Sequence, residues 1–273
     1  MHQDTRLSKG VNVMDSQLSL LDVSKKYGGV SAAQSITLNI KKGELLGLIG
    51  PNGSGKTTLI NLISGTQKAT SGKIMFSDID ITNLATYKRA SLGIARTFQI
   101  VKPLMSMTVT DNVLIGSAFG NNSTKISDAI KMSMSLKKIK HCQEDVGFIL
   151  NKVGLESRAQ VTADQLTLPE RKRLELARAL AMKPLLLLLD EVMAGLNASE
   201  IEEVMELVKS INRDGITVIC VEHVMKAIMN ISKRVVVLKE GSIIADGLPQ
   251  EIVSNDKVIK AYLGSKYAQK ECE

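Results

Sequence analysis

The sequence contains no tryptophan and only four Phe and four Tyr among its 273 residues. Proteins that bind single-stranded nucleic acid stack bases on aromatic side chains, so the net charge of +7 is weak evidence for a nucleic-acid partner. The longest apolar runs, such as 185–189, fall far short of the ~20 residues that a membrane-spanning helix needs. Residues 1–10 are polar and lack the apolar centre of a secretory signal. We expect a soluble chain that stays where it is made and meets a membrane only through a partner.

Cysteine is scarce too, with Cys142, Cys220 and Cys272 as the three in the chain. An odd count without metal-ligand spacing is typical of a reducing cytoplasm, where thiols are buried or idle. Hydrophobic residues make up 44% of the chain and charged residues 23%, an ordinary balance that argues against global disorder. The length is sufficient for one large domain or two small ones.

The most informative stretch is Gly50–Thr57, which fits the pattern G-x-x-x-x-G-K-[ST] of a loop that wraps the phosphates of a nucleotide. Its glycines let the backbone turn N–H groups inward, and Lys56 adds positive charge near the β- and γ-phosphates. The Thr57 hydroxyl can bind Mg²⁺. The predicted contacts of ATP with this loop are Gly50, Pro51, Asn52, Gly53, Ser54, Gly55, Lys56, Thr57 and Thr58.

The neighbouring sequence decides between a phosphate site and a glycine-rich surface turn. An apolar run of strand length, 44–49, precedes the loop, and a predicted helix over 56–64, stopped by Gly65, follows it. A loop between a strand and a helix favours the phosphate site because a helix N-terminus offers N–H donors and a dipole to an anion. The sequence therefore predicts binding of a nucleoside triphosphate.

Around this loop the N-terminal half predicts strands. Residues 18–23 and 36–40 alternate in strand fashion on either side of a turn at 27–29, and 72–76 is another short strand. From about 104 to 165 the spacing of apolar residues is helical and β-branched runs are few. We interpret this region as a helical insertion between two halves of an α/β core.

After the insertion, helices and strands alternate. The predicted helices are 166–182, 199–213 and 223–231, and the predicted strands are 185–189, 216–221 and 235–238, followed by a hairpin arm at 241–246. Apolar strands that do not alternate and are separated by helices indicate a parallel sheet covered on both faces. The predicted fold is α/β: a P-loop NTPase core with a parallel sheet, an N-terminal antiparallel β subdomain and an inserted helical subdomain. The predicted bounds are a tail at 1–15, a single domain at 16–265 and a second tail at 266–273.

Two adjacent carboxylates follow the apolar run 185–189. Asp190 and Glu191 would lie at the C-terminal edge of the sheet, where α/β proteins place their ligands. We predict that Asp190 binds Mg²⁺ through its water shell and that Glu191 orients or deprotonates the water that attacks the γ-phosphate. A solvated charged loop is the alternative interpretation of such a pair.

A histidine and a glutamine complete the predicted catalytic set. His223 follows another apolar strand, 216–221, where it can contact the γ-phosphate and respond to its loss. Gln99, at the entry to the helical insertion, can bond the magnesium water shell and move the insertion when the phosphate leaves. Each of these residues, taken alone, would suit a structural role.

In this order, the motifs resemble the ATP-binding cassette of ABC transporters over nearly the whole chain. Tyr27 matches the aromatic residue that stacks on adenine in that family. Residues 194–197 match the segment that follows the acidic pair. Two flanks, 93–99 and 258–264, look like the cassettes that power branched-chain amino-acid importers, whose relatives take up amides or urea. The residues in the position of the family signature are Leu166, Thr167, Leu168, Pro169 and Glu170.

The resemblance implies partners and a mechanism. Two cassettes, identical or paralogous, would close head to tail around two ATP molecules, each held between the phosphate loop of one and the signature of the other. Closure would pull on transmembrane permease subunits through the helical region, and hydrolysis would release it. The chain would lie in the cytoplasm on the inner face of the cell membrane, would serve a substrate-binding protein indirectly and would not bind nucleic acid.

The signature at 166–170 departs from the family pattern Leu-Ser-Gly-Gly-Gln. Thr167 keeps a hydroxyl, but Pro169 removes a backbone donor and Leu168 adds bulk where a phosphate would approach. Thr167 and Glu170 also form a capping-box pattern, which places a carboxylate at the helix end that an anion favours. We expect a weak phosphate contact in trans, complemented by a partner cassette with a better signature. The alternative is a working variant in which both sites hydrolyse ATP.

Two other functions use the same loop. A soluble cassette ATPase acting on nucleic acid or ribosomes is disfavoured because the chain has one cassette, no long coiled-coil heptads and no basic-aromatic stripe. A nucleotide kinase would need a lid and an acceptor site, neither of which the sequence indicates. Association with membranes that carry permease subunits would distinguish the transporter subunit from the first alternative.

Overall fold

The computed structural model describes residues 16–97, 103–118 and 136–262. The predicted tails and Gln99 lie outside these residues. None of the helices in the described part combines the length and the apolar character needed to cross a lipid bilayer.

Strands and helices alternate along most of the chain. The strands are β1 (Ser16–Tyr27), β2 (Val30–Lys41), β3 (Leu45–Ile49), β4 (Ser71–Phe76), β5 (Ile79–Asp80), β6 (Ile94–Arg96), β7 (Leu186–Asp190), β8 (Thr217–Val221), β9 (Arg234–Lys239) and β10 (Ser242–Gly247). The helices are α1 (Lys56–Ser64), α2 (Thr86–Ser91), α3 (Val109–Ala118), α4 (Leu136–Lys152), α5 (Leu168–Ala181), α6 (Ala198–Arg213), α7 (Met225–Ile231) and α8 (Pro249–Val253). Short 3₁₀ turns lie at Glu156–Arg158 and Ala163–Gln165, and residues 256–262 are helical.

The strands form two sheets. The first is antiparallel, with the order β2-β1-β4-β5. The second has the order β10-β9-β3-β8-β7-β6, and its neighbours pair in parallel except for β10 with β9. Parallel neighbours need crossover connections, which the intervening helices supply. The predicted α/β fold, with a parallel sheet and an N-terminal antiparallel sheet, is confirmed.

The parallel strands are apolar throughout because each of their faces covers a different core. Along β7, Leu187 and Leu189 join a cluster with buried residues of α5, α6 and α7. Leu186 and Leu188 point to the other face and join a cluster with α1 and the antiparallel sheet. All five residues of β3, β7 and β8 are buried, so strand residues on both faces are withdrawn from water.

Helices dominate the region between β6 and β7. Within it, α3 packs against α5, and α4 contacts both of them. Val109 and Val113 of α3 are buried together with Val146 and Leu150 of α4. An isolated antiparallel bridge between Thr108 and Thr162 joins the two ends of the region. The described part of the predicted helical insertion is therefore helical and shares a core with α5.

The larger differences from the predicted boundaries are at two helix starts and at the ends of two strands. The helix expected from residue 166 begins at Leu168, because Thr167 caps it. The helix expected from residue 223 begins at Met225, because the backbone of Val224 is not helical, and His223 lies in the loop after β8. Strands β1 and β2 extend beyond the predicted alternating runs, because they pair with each other along almost their whole length.

The Arg89 side chain of α2 is almost fully buried although it is charged. Its guanidinium donates to the carbonyl oxygens of Leu62 (2.6 Å) and Ile63 (2.9 Å) at the end of α1. It also donates to the carbonyl oxygens of Thr82 and Leu84, both at 3.0 Å. Because the last carbonyls of a helix have no partner within the helix, Arg89 closes the C-terminal end of α1.

We expect Arg89→Met to lower the free energy of unfolding by about 3 kcal/mol or more, since several buried carbonyl oxygens lose a charged donor at once. Equilibrium urea unfolding measures the change. Lys88→Met, at an exposed position of the same helix, is the matched control and should change it by less than about 0.5 kcal/mol. Equal stability of the two variants would show that the Arg89 contacts contribute nothing net.

Candidate functional site

Residues 50–55 form a tight loop between β3 and α1, and Lys56 and Thr57 begin the helix. Gly55 is the N-cap of α1 with φ 103°, and a Cβ there would lie 2.4 Å from the carbonyl oxygen of Ala32. A Cβ on Gly50 would lie 2.2 Å from the carbonyl oxygen of Leu238. Both positions exclude every other residue, because the backbone passes within van der Waals contact of neighbouring strands. The strand, loop and helix predicted around the phosphate motif are present.

The Lys56 ammonium lies inside this loop. Its Nζ donates to the carbonyl oxygens of Gly50 (2.7 Å) and Pro51 (3.1 Å), and only 6% of the residue is exposed. Burial lowers the pKa of Lys56, while the charges of Glu191 and Asp190 act in the opposite direction. Those carboxylates are therefore close enough to Lys56 for their charges to act on its ammonium. The structure brings the predicted loop lysine and the predicted acidic pair to one place.

A buried ion pair holds Asp190 at the end of β7. Its Oδ2 accepts a hydrogen bond from Nη2 of Arg96 at 2.8 Å. The same guanidinium donates to Oδ1 of Asn61 on α1 at 2.7 Å. Arg96 thus joins β6, β7 and α1 beneath the phosphate loop. Arg96 lies within the flank 93–99, and no role of its own was predicted for it from the sequence, because its partner lies 94 positions away along the chain.

Glu191 and His223, which were predicted to act at the same sheet edge in different roles, are in contact. The Nε2 atom of His223 lies 2.6 Å from Oε1 of Glu191. The Glu191 side chain is only 12% exposed, whereas that of His223 is 46% exposed and open to a ligand. Parallel pairing of β7 and β8 aligns Asp190 with Val221, which places the two loops side by side. Their catalytic roles stay predictions.

Two buried charged residues near Glu191 were missed by sequence reasoning. Glu222 is 3% exposed, and its Oε1 accepts a hydrogen bond from the Met193 N–H at 2.8 Å. Lys172 is 6% exposed, and its Nζ donates to the backbone carbonyl oxygen of Glu191 at 3.1 Å. The position of Glu222 between a buried strand and His223 was a signal for it. Lys172 carried no signal, because helix α5 is rich in basic residues.

The signature segment forms the capping box that its sequence predicts. Thr167 is the N-cap of α5, and its N–H donates to Oε2 of Glu170 at 2.9 Å. Arg158 donates to the other carboxylate oxygen at 2.9 Å. Although burial raises the pKa of Glu170, these hydrogen bonds outweigh it and hold that pKa below its ordinary value. A charged carboxylate therefore lies at the N-terminus of α5, while Leu168 is 48% exposed beside it.

The Tyr27 ring lies at the end of β1. Its hydroxyl bonds the side-chain oxygen of Gln67, and the ammonium of Lys25 lies 5.0 Å from the ring centre. Gln67 follows the C-terminal end of α1, whereas the phosphate loop precedes the N-terminal end. These contacts do not join Tyr27 to the loop, and the predicted adenine stacking stays a prediction.

The oxygen ligands available at the sheet edge suit Mg²⁺. The Thr57 hydroxyl is exposed in the first turn of α1, and Asp190 lies at the end of β7. Among the described residues, no group of three or more His, Cys, Asp or Glu side chains could hold a metal ion. Mg²⁺ in phosphate sites typically takes one or two protein oxygens and the phosphates of its substrate, so this small set fits. The buried Ser54 hydroxyl, which has no partner among the described residues, lies in the same loop.

Burial raises the pKa of Glu222 to about 7, against the Met193 hydrogen bond and the charge of Lys172, which lower it. This pKa lies above that of an unfolded glutamate. The contribution of the Glu222 carboxyl to folding stability is therefore complete at about pH 4 and is lost as the pH rises through 7. We expect the unfolding free energy of the wild type, relative to Glu222→Gln, to fall by about 2–3 kcal/mol from about pH 4 to 8. Urea unfolding across this range measures it. Exposed Glu202→Gln controls for the loss of one charge, and a constant difference would contradict the raised pKa.

Two family models match the chain. One, described as "ABC transporter", matches residues 33–194, and one described as "Branched-chain amino acid ATP-binding cassette transporter" matches residues 242–268. The high-affinity branched-chain amino acid transport ATP-binding protein LivG of Escherichia coli K12 is 35% identical over 90% of this chain and 97% of its own length. BraF of Pseudomonas aeruginosa, with the same description, is 34% identical over the same shares. A probable LivG of Archaeoglobus fulgidus is 35% identical over 93% of this chain and 98% of its own.

Solved structures agree with these matches. A nucleotide-free ATP-binding cassette from an ABC transporter superimposes with a TM-score of 0.79 at 31% identity, over 90% of this chain and 98% of the other. A cassette in its ADP conformation gives a TM-score of 0.80 at 31% identity, over 91% and 99%. Because the family model spans more than half of the sequence and the relatives cover nine-tenths of it, the chain belongs to the ABC transporter family and is an ATP-hydrolysing cassette.

Proposed function

We propose that this cassette powers an importer of branched-chain or other hydrophobic amino acids, or of related amides, by coupling ATP-driven dimerisation of cassettes to transport. The observation that carries the ATPase part is the contact of Glu191 with His223 at the sheet edge that also bears the phosphate loop. The substrate class is supported by the names of the relatives and by the branched-chain model at 242–268. The alternative, a cassette ATPase acting on nucleic acid or ribosomes, is not favoured by these relatives.

The phosphates of ATP are proposed to lie in the loop formed by residues 50–58, on its backbone N–H groups and on the Lys56 ammonium. When bound, Mg²⁺ supplies positive charge that offsets the charge of the phosphates, and Thr57 and Asp190 are the residues that would hold it. Arg96 holds the carboxylate of Asp190 in a buried ion pair at the end of β7. Gln99, which lies outside the described residues, is proposed as a further ligand of the magnesium water shell.

Glu191 is proposed to orient the attacking water and to accept its proton. A carboxylate suits this task because it accepts hydrogen bonds only and is held close to the loop by its surroundings. His223 donates to Oε1 of Glu191 in the tautomer that carries its proton on Nε2, and its exposed edge is available to the γ-phosphate. The pair therefore connects loss of the phosphate to a movement of the loop after β8.

ABC cassettes dimerise and work with permease subunits, and we propose the same for this chain on the cytoplasmic face of a cell membrane. A substrate-binding protein would act indirectly, by delivering the solute to the permease, and no nucleic acid is expected. The substrate would be chosen by those other subunits, because none of the described site residues has a role in recognising it.

The capping box at the start of α5 bears on the identity of the second cassette. Glu170 places negative charge at the helix end that would face a phosphate, and Pro169 lacks an N–H there. One proposal is a paralogous partner with a better signature, which gives one strong and one weak site. The other is a homodimer in which this variant signature works at both sites. The geometry of the capping box supports the first, because an anion would have to approach an existing carboxylate.

We expect Lys56→Ala to abolish ATP binding or hydrolysis, because the loop loses its buried cation.

Glu191→Gln should keep ATP binding and lower turnover by ~100-fold or more, the scale of losing a general base. Both are measured as phosphate release and as uptake of labelled leucine by membrane vesicles that carry the chain with its permease subunits.

The exposed variants Lys88→Ala and Glu202→Gln control for loss of a charge of each sign. Full turnover in Glu191→Gln would show that another residue orients the attacking water. Normal ATP turnover by a chain that does not sediment with such membranes would favour the alternative function.

Sedimentation of the Glu191→Gln chain alone, with and without ATP and Mg²⁺, tests the identity of the partner. We expect a monomer that still binds ATP, because the charge of Glu170 would repel the phosphates of ATP bound to a second identical chain. Glu170→Gln in the same background should then increase ATP-dependent dimerisation. An ATP-dependent dimer of the unmodified signature would instead support a homodimer.

A further inference from the structure

Glu191 has an uncommon backbone conformation. Its φ is +55°, in the left-handed region that residues other than glycine rarely adopt. Such a conformation is strained and persists only where surrounding contacts determine it. The segment 191–193, called the Glu191 turn below, must therefore be held by bonds to its backbone. One of these is the Glu191 N–H, which donates to the carbonyl oxygen of Val221 at 2.9 Å.

A second bond comes from α5. The Nζ atom of Lys172 donates to the carbonyl oxygen of Glu191 at 3.1 Å. Burial lowers the pKa of this ammonium, and the charges of Glu222, Glu175 and Glu191 act in the opposite direction. Lys172 thus reaches a backbone atom of the turn while three carboxylates around it favour its charged form.

A third bond comes from the residue after β8. Oε1 of Glu222 accepts the hydrogen bond of the Met193 N–H at 2.8 Å, and the whole residue is 3% exposed. Water has almost no access to this carboxyl group. Loss of it would leave a buried backbone N–H without a partner, which proteins rarely tolerate.

We propose that Lys172 and Glu222 are positioning residues that hold the Glu191 turn from its two sides and so keep the Glu191 carboxylate against His223. Lys172 binds the carbonyl oxygen at the start of the turn, and Glu222 binds the N–H at its end. The inference rests on the proposed function, in which Glu191 handles the attacking water. Neither residue contacts the reacting atoms, and both act through the backbone that carries Glu191.

The two bonds from Lys172 and Glu222 to the Glu191 turn are called the clamp below. The position of Lys172 in the fold gives the clamp a second consequence. Lys172 follows Glu170 by two positions in the first turns of α5, the helix whose start is the signature segment. A helix moves as a rigid body over so short a distance, so a displacement of the signature displaces the Lys172 ammonium. The clamp therefore links the signature of this chain to its own Glu191, through one side chain and one hydrogen bond.

The test begins with Lys172→Met, which keeps most of the side-chain volume and removes the donor. We expect ATP turnover to fall about 10-fold or more with an unchanged KM for ATP, because a misplaced group lowers the chemical step and spares the phosphate loop. Lys209→Met on α6, which removes a half-exposed lysine paired with Glu206, is the matched control and should leave turnover unchanged.

Combination with Glu191→Gln separates positioning from a general structural effect. If Lys172 acts only through Glu191, adding Lys172→Met to Glu191→Gln should lower single-turnover hydrolysis no further. Equal fold losses in both backgrounds would overturn the proposal. If Glu191→Gln alone hydrolysed ATP normally, the proposed role of Glu191 would fail instead, and the two failures are distinguishable.

Amide hydrogen exchange provides a readout that does not depend on activity. In Glu222→Leu, the Met193 amide should exchange on the order of 10-fold faster or more, and turnover should fall as in Lys172→Met. Glu222→Gln retains an oxygen acceptor, so it should restore both the protection of Met193 and most of the lost turnover. Unchanged protection of Met193 in Glu222→Leu, or a turnover loss that Glu222→Gln does not rescue, would contradict the clamp.

Discussion

The parallel pairing of β8 between β3 and β7 is the constraint on which the site depends. Parallel strands present their carboxyl ends at one edge, so the loops after these three strands meet there. The phosphate loop follows β3, the Glu191 turn follows β7 and His223 follows β8. Pairing of Asp190 with Val221 fixes the register of β7 against β8, and a shift by one residue would separate Glu191 from His223.

Buried charge is concentrated around this edge. Lys56 lies within its loop, Arg96 binds Asp190, and Lys172 and Glu222 hold the Glu191 turn from its two sides. Each of these groups loses hydration on folding, and each has a hydrogen-bond partner that compensates for part of that loss. Bonds within the protein therefore hold these groups in place, which suits the proposed reaction, because it depends on the placement of one water molecule.

The start of α5 shows how one helix end can serve two requirements. Thr167 and Glu170 give the helix a strong N-terminal cap, and Arg158 fixes the carboxylate. The same carboxylate lowers the attraction of this helix end for a phosphate. Through Lys172 the helix also contacts the Glu191 turn. The cap that stabilises the helix, the proposed contact with a second cassette and the proposed positioning of Glu191 thus all involve the first two turns of one helix.

The sequence by itself determined the local elements and the chemistry they carry. The phosphate loop, the α/β alternation, the Asp190–Glu191 pair and the capping box at Thr167 are local patterns, because each depends on residues within a few positions of one another. Helix starts at the signature and near His223 were misplaced by two residues, because capping and the conformation of single residues decide them. Only the tertiary structure decided that Arg96 pairs with Asp190 and that Lys172 and Glu222 hold the Glu191 turn. These partners are between 19 and 94 positions apart, and only the packing of α5 and the register of the parallel strands bring them into contact.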